Sequence, residues 1–246
     1  MAFLRGMTAL ARTPRRPNLE QPVMVLPGLG ASSASTALLR RYLKSNGYHA
    51  VDWGMGVNTG PRGSLDATVD VLERRLEQLC IRHAGKPAVL VGWSLGGIFA
   101  RELAKRRKDL VRSVITLGTP LNGDPDATNA KMAYDLMQSV RVMLGGSTAQ
   151  EEDATVIERI KTAPDVPCAS IYSRSDGVVG WRSCMLPSTP STASFELKRV
   201  SHMGLVSDPA ALKALKRALD FLLAPAPGSP SAANEDASSL RTRATP

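Results

Sequence analysis

Apolar residues along this chain fall into short unbroken runs, separated by longer stretches in which they recur every three or four positions. Val23-Met24-Val25-Leu26, Ala88–Trp93, Val111–Leu117 and Ala169–Ser173 are the unbroken runs, and each predicts a strand buried on both faces. Tyr48–Trp53, with partial alternation, and Ser194–Val200 predict two more. The helical period predicts a helix near Ala34–Ser45 and a long one over Leu65–His83, where Leu65, Val69, Leu72, Leu76, Leu79 and Cys80 share a face. Another opens after Ser94 and runs through Ala104, and a last one spans about Pro209 to Leu223, with Asp208 placed to cap it. Alternation of β-run and helix is the signature of an α/β domain whose parallel sheet is covered on both faces.

The rhythm breaks over residues 122–163. Ala133, Leu136, Met137, Val140 and Leu144 mark one amphipathic helix, and Thr148-x-x-Glu151 is a capping-box opening for a second. Helices inserted where one crossover would suffice predict a cap over a site. Met132, Met137 and Met143 could line an apolar pocket there, or simply pack a core. Residues 1–22 form a basic N-terminal arm, too interrupted by Arg5 and Arg12 for a signal sequence or membrane span. Residues 224–246 are rich in Ala, Pro and Ser and predict a disordered tail. Residues 23–223 are then the folded domain.

Composition narrows the function classes. The net charge of +9 derives partly from Lys105-Arg106-Arg107-Lys108, which sits where a helix ends and its dipole favours cations. Aromatics are only 4% of the chain, so interleaved stacking residues for nucleic acid are lacking, and no nucleic-acid partner is expected. Weak attraction to an anionic membrane surface is the secondary consequence of that charge. Three cysteines, Cys80, Cys168 and Cys184, have no metal-ligand spacing. Cys168 and Cys184 could pair in an oxidising compartment; with no secretory signal in view, free thiols and a cytoplasmic location, peripheral to a membrane at most, are expected.

Candidate chemistry centres on Gly92-Trp93-Ser94-Leu95-Gly96, set between a buried strand and a helix. A strand-to-helix turn this tight crowds the positions two before and two after the Ser, where only Gly fits easily. It would expose the Ser94 hydroxyl at the carboxyl end of the strand and aim the Leu95 N–H at the same point. A serine needs a base, and His is the side chain that titrates nearest neutrality. Of three His, His49 begins a strand at the far end of the sheet, and His83 closes a helix. His202 follows the last strand on the correct side and is the candidate base. Asp176, just past Ala169–Ser173, is the candidate acid, ahead of Asp124 and Asp126; Asp165 precedes its strand, at the wrong end. The developing oxyanion calls for two main-chain donors, Leu95 and, from Pro27-Gly28-Leu29-Gly30 after the first strand, Leu29. That Gly-rich loop could instead cradle a phosphate, but no acidic residue ends the second strand to hold a ribose.

These segments, with Gly118-Thr119-Pro120, Tyr172–Val179 and Ser201-His202-Met203-Gly204, resemble the α/β-hydrolase superfamily, in particular its bacterial lipase- and esterase-like members. The order Ser94, Asp176, His202 is the order those enzymes use. Pro27 stands where many lipases have His, and too little chain precedes Val23 for the family's first two antiparallel strands. The resemblance therefore implies a reduced, mostly parallel sheet of about six strands with helices on both faces and a helical cap. It also implies hydrolysis of a small-molecule or lipid ester with no metal or organic cofactor. An acyltransferase of the same fold and a non-catalytic binding protein are the alternatives.

Overall fold

The computed structural model describes residues 21–61, 64–121 and 158–224. Six strands, β1 (Pro22–Leu26), β2 (His49–Asp52), β3 (Ala88–Trp93), β4 (Val111–Leu117), β5 (Cys168–Ser173) and β6 (Thr192–Leu197), form one sheet in the order β2-β1-β3-β4-β5-β6. Every pairing is parallel, so the "mostly parallel" sheet expected from sequence is wholly parallel here. Helices α1 (Ala37–Ser45), α2 (Leu65–Arg82), α3 (Leu95–Arg106) and α4 (Pro209–Leu223) supply the covers.

Each strand feeds two cores at once. In β1, Val23 and Val25 point to one face, beneath Leu39 and Leu43 of α1, in a layer shared with Leu212, Leu215 and Leu219 of α4. Met24 and Leu26 point to the other, with Leu72 and Leu76 of α2 and Phe99 and Leu103 of α3. This two-residue alternation between two buried faces is why the strands read as continuous apolar runs. Burial of one such Leu stabilises the fold by about 1.5–3 kcal/mol.

The helix boundaries follow local chemistry. Ser64 accepts a hydrogen bond from the Ala67 N–H and starts α2, and Asp208 accepts from Ala210 N–H, with Pro209 at the first position of α4. The first helix starts at Ala37, three residues later than the period suggested, and the last strand sits two residues earlier, at Thr192–Leu197. The basic run at the end of α3 is no bare solvated patch: Lys105 pairs with Glu102, Arg106 with Asp66 and Asp70, Arg107 with Glu73, Glu77 and Asp109, and Lys108 with Asp165. Arg101, buried within α3, donates to the carbonyls of Ile160, Lys161 and Thr162, and Arg159 reaches Glu102 and Asp66. The end of the inserted segment is thereby clamped to α3. The N-terminal arm before Gln21, most of the expected cap with its capping box and methionines, Asp124 and Asp126, and the tail beyond Ala224 lie outside the described residues.

All three cysteines are free and buried. Burial pushes the Cys168 thiol up to about 11 and, with Asp176 nearby, Cys184 up to about 12. Because the thiolate is the nucleophile, iodoacetamide at about pH 8 should leave folded protein unmodified and alkylate all three thiols in guanidinium. Rapid modification of native protein at Cys168 or Cys184 would contradict that packing. No helix among the described residues is long and apolar enough to cross a membrane.

Candidate active site

The chain lays β1, steps outward to β2, and returns to place β3 on the other side of β1. Loops leaving β1 and β3 at their carboxyl ends therefore diverge and open a crevice, the usual ligand position in a doubly wound sheet. Pro27–Ala31 follows β1 and Ser94 follows β3, so the crevice falls between the two segments singled out from sequence.

Ser94 itself has φ 53° and ψ −124°, a left-handed backbone rare for a residue with a side chain. The turn is held from below: Ser94 N–H donates to Leu117 O at 2.8 Å, and Thr119 Oγ1 donates to Ser94 O at 2.9 Å. A Cβ on Gly92 would strike the backbone of Gly97, and one on Gly96 would lie inside contact distance of Leu26 O and 2.6 Å from Pro27 O. Both glycines are thus required by close backbone approach, as the spacing predicts.

Asp176 and His202 meet across the ends of β5 and β6. His202 Nδ1 lies 2.7 Å from Asp176 Oδ2, with both side chains nearly excluded from solvent. The other carboxylate oxygen accepts from Val178 N–H at 2.8 Å and Val179 N–H at 2.9 Å. An acceptor-only carboxylate so placed keeps the imidazole proton on Nδ1 and leaves Nε2 as the basic nitrogen. Ser173 Oγ joins the two loops by accepting from Ser175 N–H at 3.2 Å and Val200 N–H at 3.4 Å.

A cavity of about 280 Å³ is lined by Leu29, Trp93, Ser94, Val178, His202 and Met203, among others. Ser94 and His202 share this cavity, with no hydrogen bond between them. The Leu29 and Leu95 N–H groups donate to no main-chain acceptor among the described residues, so both remain free to serve an oxygen in the cavity. The structure therefore brings Leu29, Ser94 and His202 to one cavity, with Asp176 bonded to His202 and Leu95 next to Ser94. His49 and His83 sit together at the opposite end of the sheet, their rings 4.4 Å apart, and Asp165 is engaged by Lys108.

Three supporting residues carried too little sequence signal to be placed. Asn58 is fully buried in a Gly-rich loop and staples the segment after β1: its Nδ2 donates to Pro27 O at 2.7 Å, its carbonyl accepts from Gly30 N–H at 2.7 Å, and its N–H donates to Ala31 O at 2.8 Å. Trp93 packs its ring 5.5 Å from that of His202. Gly118 has φ 55°, and a Cβ there would lie 2.9 Å from Asp176 Oδ2 and 3.1 Å from His202 Nδ1. Its Gly-Thr-Pro context was visible, but its pressure on the Asp–His pair was not.

Comparison with known proteins bears on the fold and the family. The chain is 31% identical over 164 residues to a pimeloyl-[acyl-carrier protein] methyl ester esterase of Shewanella woodyi, a match spanning 58% of this chain and 61% of that relative. Among solved structures, the Bacillus licheniformis lipase BlEst2 superposes with a TM-score of 0.60 at 16% identity, covering 85% of this chain and 96% of the lipase. A monoglyceride lipase from Saccharomyces cerevisiae gives a TM-score of 0.56 at 15% identity, covering 84% and 87%. At those identities the two lipases speak for the fold alone. The family model described as the Alpha/beta hydrolase family matches residues 23–239, most of the sequence, and the chain belongs to that family.

Proposed function

We propose that the chain hydrolyses carboxylic esters through an acyl-enzyme on Ser94. The observation that carries this reading is the Asp176–His202 pair at 2.7 Å, facing the same cavity as a serine held in a strained turn. His202 Nε2 takes the Ser94 proton as Oγ bonds to the ester carbonyl carbon. The carbonyl oxygen becomes an oxyanion between the N–H groups of Leu29 and Leu95, each worth about 2.7–4 kcal/mol of barrier. His202 then returns its proton to the departing alkoxide, and water, deprotonated by the same imidazole, releases the acid from Ser94. Asp176 holds the ring and offsets the imidazolium charge.

The apolar lining from Leu29, Trp93, Val178 and Met203 supports an acyl ester, a lipid acyl chain included. The name of the Shewanella relative, an esterase for the methyl ester of an acyl group, supports a small alcohol on the other side of the bond.

A fluorophosphonate probe tests the assignment: it should attach to Ser94 in folded protein and not after heat unfolding, as read by peptide mass spectrometry. Attachment elsewhere, or none to folded protein, rejects it. Asp176→Asn should keep the fold and lower kcat for p-nitrophenyl esters by about 10³–10⁴-fold, because the amide presents the imidazole in the wrong tautomer. A drop of less than tenfold would remove Asp176 from the mechanism.

A further inference from the structure

Five basic side chains gather at the end of the sheet where the strands begin, away from Ser94. Lys44 at the end of α1, His49 at the start of β2, Arg82 and His83 at the end of α2, and Lys86 in the turn before β3 line one cavity of about 530 Å³. No residue lining it carries a carboxylate.

Helix dipoles account for part of this, since Lys44 and Arg82 stand in last turns. They do not account for the density of unanswered charge. Every member of the Lys105–Lys108 run has a carboxylate, whereas Lys44, Arg82 and Lys86 have no ion-pair partner among the described residues. The two imidazoles share the same space, ring centroids 4.4 Å apart with their planes tilted 58° to each other. Burial, followed by the positive charges of His83, Lys44 and Arg82, holds the His49 imidazole below its usual range. A transition metal does not fit: among the described residues no three His, Cys, Asp or Glu converge, and the fixed cations would repel it.

We propose that this cavity binds a phosphate-group anion, with Lys44, Arg82 and Lys86 supplying fixed charge and His49 and His83 supplying N–H donors. A phosphate carries about two negative charges and several acceptor oxygens, matching a concave surface rich in cationic and N–H donor side chains. The same chemistry comes from a free phosphate compound or from an anionic phospholipid headgroup. An anion beside His49 offsets the charges that drive off its proton and so favours the protonated imidazole, which offers two N–H donors.

The test uses pyrophosphate in calorimetry and, separately, sedimentation with phosphatidylglycerol or phosphatidylcholine vesicles at low salt. The charged positions are solvent-exposed, so K44Q/R82Q should fold, and K86Q is a second, single-site probe. Pyrophosphate binding weakened about tenfold or more by K44Q/R82Q, yet retained in a K198Q/K213Q control outside the cavity, supports the site and a free anion as its ligand. Phosphatidylglycerol-specific sedimentation with the same variant pattern, in the absence of pyrophosphate binding, supports the site and a headgroup. Binding of neither probe, or binding that K44Q/R82Q and K86Q leave unchanged, overturns the proposal. Ester turnover should be unaltered in all of these variants, so the outcome is independent of the reading of Ser94.

Discussion

Ser94→Ala should lower turnover of p-nitrophenyl esters by about 10⁶-fold, and the protein should melt within a few degrees of the parent. On the proposed mechanism the loss of activity follows from removing the atom that bonds to the acyl group, which neither the main-chain donors nor the His202–Asp176 pair would replace. Fold should survive because the Ser94 side chain makes no hydrogen bond among the described residues, and Ala meets the same φ of 53° that Ser already tolerates. Ser94→Gly sharpens the point. Glycine relieves a left-handed backbone that costs a side-chain-bearing residue about 1–2 kcal/mol, so this variant should be as inactive yet melt higher. Steady-state kinetics with calorimetry decides both, and a Ser94→Ala enzyme retaining a tenth of its turnover would dismiss Ser94 as nucleophile.

Gly96→Ala is expected to be severely destabilising for the addition of a single methyl group. Its Cβ would stand 2.6 Å from Pro27 O and 2.7 Å from the Leu26 carbonyl carbon, atoms of a backbone fixed in the sheet. Relief requires α3 to move off β1, which opens the layer containing Leu26, Leu95 and Phe99 and displaces the Leu29 loop from the cavity. We expect a loss of more than about 4 kcal/mol in urea unfolding, placing it among the rare severe substitutions. Gly177→Ala is the control, because a Cβ there meets nothing within 4 Å, and it should change stability by no more than about 0.5 kcal/mol. A Gly96→Ala protein unfolding at the parent's urea midpoint would show that the close approach of α3 to β1 is not required.

Strand runs were legible because a sheet covered on both faces demands apolar residues at every position; Ala88–Trp93 and Val111–Leu117 were bounded correctly on that basis. β6 was harder: Thr192, Ala193 and Ser194 are only half-buried, so they left a weak apolar trace. The buried Arg101 and Glu102 were invisible for a related reason. Polar residues on a helix read as a solvent face until an ion pair or a row of carbonyls, here from residues 159–162, arrives from elsewhere in the chain.

Within the site, local covalent and steric rules let the sequence alone select Ser94, its flanking glycines, Asp176 and His202. A turn that excludes Cβ atoms, and loops leaving the carboxyl ends of strands, leave marks at fixed spacing. Strand order, which opens the crevice between β1 and β3, depended on packing. So did the 2.7 Å approach of His202 to Asp176, the staple from Asn58, and the fit of Gly118 against both. Those are contacts between residues distant in the chain, and local patterns restrict which side chains can serve without determining which of them will touch. The same division separates the two clusters of charge: the basic run at the end of α3 was plain in the sequence, but only the folded chain showed that it is neutralised. Only the fold, too, showed that Lys44, His49, Arg82, His83 and Lys86, dispersed over two helices, a strand and a turn, share one hollow with no carboxylate among its described lining residues.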